Sequence, residues 1–120
     1  MKQFRAFVTT ETKKNAFNYS VQKKNLAALP EGDLLIKVQY SSLNYKDALS
    51  ATGNKGVTKK YPHTPGIDAV GIVEESKNKN FPVNSSVIVS GYDLGMNTPG
   101  GFSEYISIPS SWAVIKPDLL

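Results

Sequence analysis

Pro65-Gly66-Ile67-Asp68-Ala69-Val70-Gly71-Ile72-Val73 is the stretch on which the fold turns. Ile67, Val70, Ile72 and Val73 are β-branched, so residues 67–74 read as a strand. Gly71 inside it predicts a bulge or a close approach of another backbone. Asp68 lies between two glycines at the strand's start, where an acid is placed for a reason rather than by pattern. Upstream, Leu34, Ile36, Val38 and Tyr40 alternate with Leu35, Lys37, Gln39 and Ser41. Side chains on a strand alternate faces, so this pattern predicts four apolar groups on one side. Residues 4–10 and 17–22 read as earlier strands, and Pro30-Glu31-Gly32-Asp33 as the turn into the alternating one. Downstream, residues 87–90, 102–108 and 113–115 read as further strands, with a glycine-rich loop over 91–101. Many short strands separated by turn signals predict a mainly β, barrel-like domain with little helix.

Composition narrows the class. The chain has 120 residues, 40% hydrophobic and 20% charged, which suits one folded domain. No apolar run approaches the roughly 20 residues of a membrane span, and the N-terminus has no apolar signal core, so a cytoplasmic protein is expected. With no cysteine and a single histidine, His63, disulfides, thiol nucleophiles and Cys- or His-based zinc clusters are not available. The net charge is +4, yet the lysines come as scattered pairs, Lys13-Lys14, Lys23-Lys24 and Lys59-Lys60, with no aromatic binding motif beside them. That distribution reads as a solvated basic surface, not a nucleic-acid site.

One helix is expected. Asn44 can cap residues 44–51, and Asp47 sits three positions on, as in a capping box. Tyr45, Ala48 and Leu49 then share a face, and Gly53 ends the helix. An amide, a phenol and an ammonium at Asn44, Tyr45 and Lys46 can bind a carbonyl and stabilise the charge that develops on its oxygen. Read without chemistry, Asn44 and Asp47 only cap, Tyr45 packs in the core and Lys46 is solvated. Likewise Asp68 is either part of a site or a structural acid. Residues 53–65 read as a loop, with Tyr61 as a candidate pocket wall.

Three blocks in this order, Ser41-Ser42-Leu43-Asn44-Tyr45-Lys46-Asp47-Ala48-Leu49, residues 65–73, and Gly100-Gly101-Phe102-Ser103-Glu104-Tyr105, resemble the catalytic domain of zinc-independent medium-chain dehydrogenases/reductases. The resemblance is to the quinone-oxidoreductase-like branch that includes acryloyl-CoA reductases. It implies a GroES-like, partly open β-barrel with one or two short helices. It implies an NADPH-dependent parent enzyme that reduces the activated double bond of an enoyl thioester, with a quinone as the alternative substrate. Zinc-dependent relatives carry a His-Glu pair where this chain has Ile67-Asp68, so no metal is expected. Asn44, Tyr45 and Asp68 are the implied catalytic residues, Asn44, Tyr45 and Lys46 the implied cofactor contacts, and Tyr61 and Tyr92 the implied substrate contacts. His63 stands where the group usually has an apolar residue and reads as a loop side chain. Glu104 reads as a brace for its strand.

No G-x-G-x-x-G dinucleotide fingerprint occurs in the chain. The resemblance therefore implies that most NADPH contacts belong to a second domain outside residues 1–120, and that this piece alone is inactive. Lys116-Pro117-Asp118-Leu119-Leu120 reads as a strand exit followed by a helix start capped by Asp118, as at a domain boundary. The parent is expected to act on a small molecule, as a homodimer, with no nucleic-acid or membrane partner. A different class of function, a stand-alone GroES-like binding module, would need a mobile apolar partner loop, and none is evident.

Overall fold

The computed structural model describes residues 2–117; the expected helix start at Asp118 lies outside the described residues. Strands β1 (Gln3–Lys13) and β2 (Ala16–Asn25) form an antiparallel hairpin. Then come β3 (Leu34–Tyr40), helix α1 (Tyr45–Ala51), β4 (Asp68–Ser76), β5 (Ser86–Ser90), β6 (Tyr105–Ile108) and β7 (Ala113–Ile115). The last five strands form one antiparallel sheet in the order β6-β3-β4-β5-β7. Two short 3-10 turns, Leu26–Ala28 and Ser110–Trp112, complete the secondary structure of the described residues.

Residues 102–108, expected as one strand, divide between the two sheets. Tyr105–Ile108 pair with β3. Residues 102–104 turn to β1 instead: Phe7 N–H donates to the Phe102 carbonyl at 2.8 Å and Glu104 N–H to the Arg5 carbonyl at 3.0 Å. Glu104 braces this join, its carboxylate accepting the Arg5 N–H. The division links hairpin to sheet without closing the barrel, so the GroES-like, partly open, mainly β architecture is the one observed.

The inner face of the larger sheet carries the core: Leu34, Ile36, Val73, Val87, Ile106 and Ile108 are fully buried, and Ala69 and Val89 nearly so. Burying each large apolar side chain contributes about 1.5–3 kcal/mol. The alternation in β3 ends one residue early. Val38 is opposite Gly71 but Tyr40 is opposite Val70, so Gln39 is an extra residue on β3. A bulge reverses the facing of the residues beyond it, and Tyr40 is 73% exposed rather than the fourth apolar group of the inner face. The close approach expected at Gly71 is there: a Cβ would lie 2.3 Å from the Lys37 carbonyl oxygen.

Helix α1 is turned the opposite way from an ordinary amphipathic helix. Asp47 and Ser50 are buried, while Tyr45 is 80% exposed and Ala48 is also in solvent. The shared face of Tyr45, Ala48 and Leu49 is thus not a core face. A seven-residue helix is too short to persist alone, so tertiary hydrogen bonds hold it. Ser50 Oγ meets Thr58 Oγ1, Thr9 Oγ1 donates to the Ala51 carbonyl at 2.9 Å, and Tyr61 OH donates to the Ser50 carbonyl at 2.6 Å.

Candidate functional site

The three sequence blocks converge on the start of β4. Gly66 has φ +116°, a conformation open to glycine. Its backbone packs directly on the loop before residue 102: Gly101 N–H donates to the Gly66 carbonyl at 2.9 Å, Phe102 N–H to Pro65 at 3.0 Å and Gly100 N–H to Thr64 at 2.8 Å. A Cβ on Gly100 would sit 2.4 Å from the Gly66 carbonyl oxygen, so backbone meets backbone with no room for a side chain. The first block closes on the same point. Asp47, fully buried, accepts the Ile67 N–H at 2.9 Å through Oδ1 and the Asn44 N–H at 2.8 Å through Oδ2, which closes the capping box.

Asp68 is the hub. Its Oδ1 accepts the Ser90 hydroxyl at 2.7 Å; its Oδ2 accepts the Ser42 hydroxyl at 2.8 Å and Asn44 Nδ2–H at 3.0 Å. The Ser41 hydroxyl donates to its main-chain carbonyl at 2.7 Å. The Ser90 hydroxyl, then Ser42 and Asn44, hold the carboxyl below the usual aspartate range against the opposing effect of partial burial. The three donors favour the ionised form of Asp68. It and Asn44 are brought together as the sequence reading implies. Ser41, Ser42 and Ser90 were not foreseen. No motif marks a serine at a strand end as the partner of an acid that is 22 positions away along the chain.

Beside this hub lies an apolar cleft of about 230 Å³ lined by Tyr40, Val70 and Ile88 among others. Tyr45 and Lys46 stand on the first turn of α1, exposed. The two other candidate tyrosines sit elsewhere. Tyr61 is engaged: its OH is on the Ser50 carbonyl, its ring lies edge-on to Phe17 at 5.0 Å, and burial raises its pKa. Tyr92 stacks on Trp112 at 5.7 Å. Among the described residues neither shares a hydrogen bond or ring contact with Asn44 or Asp68. His63 is more than a loop side chain. It is 5% exposed, its Nε2 is 2.8 Å from the Gly95 carbonyl, and burial lowers its pKa. That bond requires the proton on Nε2, so the ring's role is to tie the 61–65 loop to the glycine loop.

A larger cleft, about 380 Å³, opens at the far end of β3 and β4, bordered by Leu26, Leu29, Pro30 and Leu35. Of its acids, Asp33 accepts the Ser110 N–H, Glu31 lies 3.9 Å from Lys77, and Glu75 also lines it, but no residue of the three sequence blocks reaches it. Chemistry, not volume, thus points to the Asp68 end. Among the described residues no three His, Cys, Asp or Glu side chains gather as a metal site would. No helix of the described residues is long and apolar enough to cross a membrane. No glycine-rich turn leads into the N-terminus of α1, as a pyrophosphate cradle would need.

Residues 30–118 match the alcohol dehydrogenase GroES-like domain. The Bacillus subtilis protein named "Putative quinone oxidoreductase YhfP" is 40% identical over 116 residues, 95% of this chain and 35% of the relative. Its crystal structure with NAD bound superposes with a TM-score of 0.93, covering 100% of this chain and 36% of that one. Acrylyl-CoA reductase AcuI of Ruegeria pomeroyi is 35% identical over 99 residues, 82% of this chain and 30% of the relative. The YhdH oxidoreductase of Salmonella enterica, solved in complex with NADP, gives a TM-score of 0.91 at 35% identity over 97% of this chain and 36% of that one. The chain spans about a third of the length of these relatives. By these matches the chain belongs to the alcohol dehydrogenase GroES-like domain family, in the branch that holds quinone-oxidoreductase-like and acrylyl-CoA-reductase proteins.

Proposed function

We propose that this chain forms the substrate side of an NADPH-dependent cytoplasmic reductase that saturates the activated double bond of an enoyl thioester such as acryloyl-CoA. The observation that carries the reading is the anionic Asp68 bound to Asn44, directly before a helix turn that offers a phenol and an ammonium to solvent. When bound, the nicotinamide supplies a hydride to the β-carbon. Tyr45 OH and Lys46 Nζ donate hydrogen bonds to the thioester carbonyl, where negative charge develops. Tyr45 then passes its proton to the α-carbon and is reprotonated from water, so hydride and proton together saturate the bond. A free phenol, with a pKa of about 10, is protonated at neutral pH and so carries the proton to donate. Asp68 holds Asn44 in place throughout. The chain contains no cysteine, and its one imidazole is engaged with Gly95, which supports a reaction without a protein-bound zinc.

The 40% identity to a protein named for quinone reduction favours a second reading, in which the same donors serve a quinone oxygen. Oxidation of NADPH at 340 nm by protein from the full reading frame, with acryloyl-CoA and with a benzoquinone, separates the two. Turnover of acryloyl-CoA is expected from the full frame and none from residues 1–120 alone. Quinone-only turnover would move the function to the second reading, and NADPH turnover by the 120-residue chain would overturn the division of labour between domains.

A further inference from the structure

We propose that Ser42 and Ser90 are positioning residues: their hydroxyls grip the two oxygens of Asp68, and through Asp68 they set Asn44 and the helix turn that carries Tyr45 and Lys46. This deepens the reductase reading above and rests on it for the catalytic consequence, though not for the structural one.

The geometry is specific. Asp68 and Ser90 are direct cross-strand partners on β4 and β5, so the sheet register itself delivers the Ser90 hydroxyl to Oδ1 at 2.7 Å. Ser42 comes from the loop after β3 and reaches Oδ2 at 2.8 Å. The Ser42 oxygen also accepts Asn44 Nδ2–H at 3.1 Å, so serine, aspartate and asparagine form a closed three-membered ring of hydrogen bonds. Ser41 adds a bond from its hydroxyl to the Asp68 carbonyl, which fixes the loop against the start of β4. Three segments from different parts of the chain thus converge on a single carboxylate. Without the serines the carboxylate keeps only the Asn44 amide, and it is free to rotate about its side-chain torsions. The depressed pKa of Asp68 agrees with this arrangement, and no charged side chain is among its causes. Hydroxyls, rather than a lysine or arginine, hold this anion. They hold it without neutralising it, so the Asn44 amide remains polarised by a full negative charge at 3.0 Å.

Two measurements test this. In the 120-residue chain, the Asp68 side-chain carboxyl is followed by carbon-13 NMR against pH, together with the Asn44 side-chain amide signals. Asn44 Nδ2–H also lies 3.3 Å from Asp47 Oδ2, so the expected step in the Asn44 signals is the one that shares its midpoint with the Asp68 carbon signal. S42A and S90A should each raise the Asp68 midpoint, and S42T and S90T should restore it. Asn44 signals that ignore the Asp68 titration, or alanine variants that titrate as the parent does, would overturn the proposal. In full-frame protein, S42A and S90A should each lower kcat about ten-fold, the loss expected for one hydrogen bond to a charged group. KM should stay within about two-fold, and the threonine variants should recover kcat. An active enzyme whose kcat is untouched by either alanine also overturns it. If the full-frame protein turns over neither substrate, the reductase reading fails on its own, and the NMR arm still decides whether the serines set Asn44.

Discussion

The inner face of the five-stranded sheet and helix α1 solve the burial problem in opposite ways. The sheet hides Leu34, Ile36, Val73, Val87, Ile106 and Ile108 on one face. The helix hides Asp47 and Ser50 and shows Tyr45 and Ala48. The sheet is held by apolar area, the helix by hydrogen bonds to the backbone of β4's entry and to Thr9, Thr58 and Tyr61. No buried side-chain nitrogen or oxygen among the described residues lacks a partner, which is the condition for a polar helix face to be buried at all. A helix anchored in this way leaves Tyr45 and Lys46 in solvent.

The comparison breaks most visibly on the sheet side. Ile36→Ala should lower the unfolding free energy by about 3 kcal/mol through lost burial and the cavity left behind, as urea denaturation will read. On the helix side, Asp47→Ala should approach the same loss, about 2–3 kcal/mol, although it removes no apolar area. It leaves the half-buried Ile67 and Asn44 N–H groups without their acceptor. Asp47→Asn retains an acceptor and should lose about half as much. Equal stability of Asp47→Ala and the parent chain would show that packing, not hydrogen bonding, seats α1.

A smaller effect sharpens the same point with pH. His63 is another buried polar group, and burial lowers its pKa below the ordinary histidine value of 6.5. A folded pKa lower than the unfolded one means the stabilisation is complete above about pH 6.5 and is lost as pH falls from there through the folded value. Asp68 and Glu104 are also lowered, but as acids they lose their contribution only at more acid pH, below about 4.5. Urea midpoints should therefore fall as pH drops below about 6.5 in the parent. They should stay level in His63→Gln, whose amide can still donate to Gly95. The smallest effect is expected at Tyr45. With its ring 80% exposed, Tyr45→Ser should change stability by no more than about 0.5 kcal/mol. A larger loss would mean that the ring is structural, and the contrast between the two faces of α1 would fail.

Much of this was legible along the chain. The strand from Asp68, the strand over 113–115, the Asn44–Asp47 cap and the terminating Gly53 all rest on patterns within a few residues. Gly71 announced a close backbone approach, and it is there. Tyr40 was misplaced because a bulge at Gln39 is set by how β3 meets β4, not by alternation within β3. The break of 102–108 between two sheets had the same origin, since β1 competes for residues 102–104. At the site, Asn44 and Asp68 were legible as polar groups in unusual places. Tyr61 was not legible as a helix brace, because its partner is a carbonyl on α1, 11 residues earlier.

The order of residues alone settles the β class, the cap and direction of α1, the absence of thiol chemistry and the family. These depend on residue type, short spacing and backbone freedom, which act over one turn or one strand. Packing in three dimensions chose which face of α1 lies inward, that Tyr40 points out, and that Ser42 and Ser90 close on Asp68. Those outcomes depend on strand register and on partners 22 to 26 residues apart. A hydrogen bond that short in space and that long in sequence leaves no periodic mark on the chain. It exists only once the sheet has placed β5 beside β4.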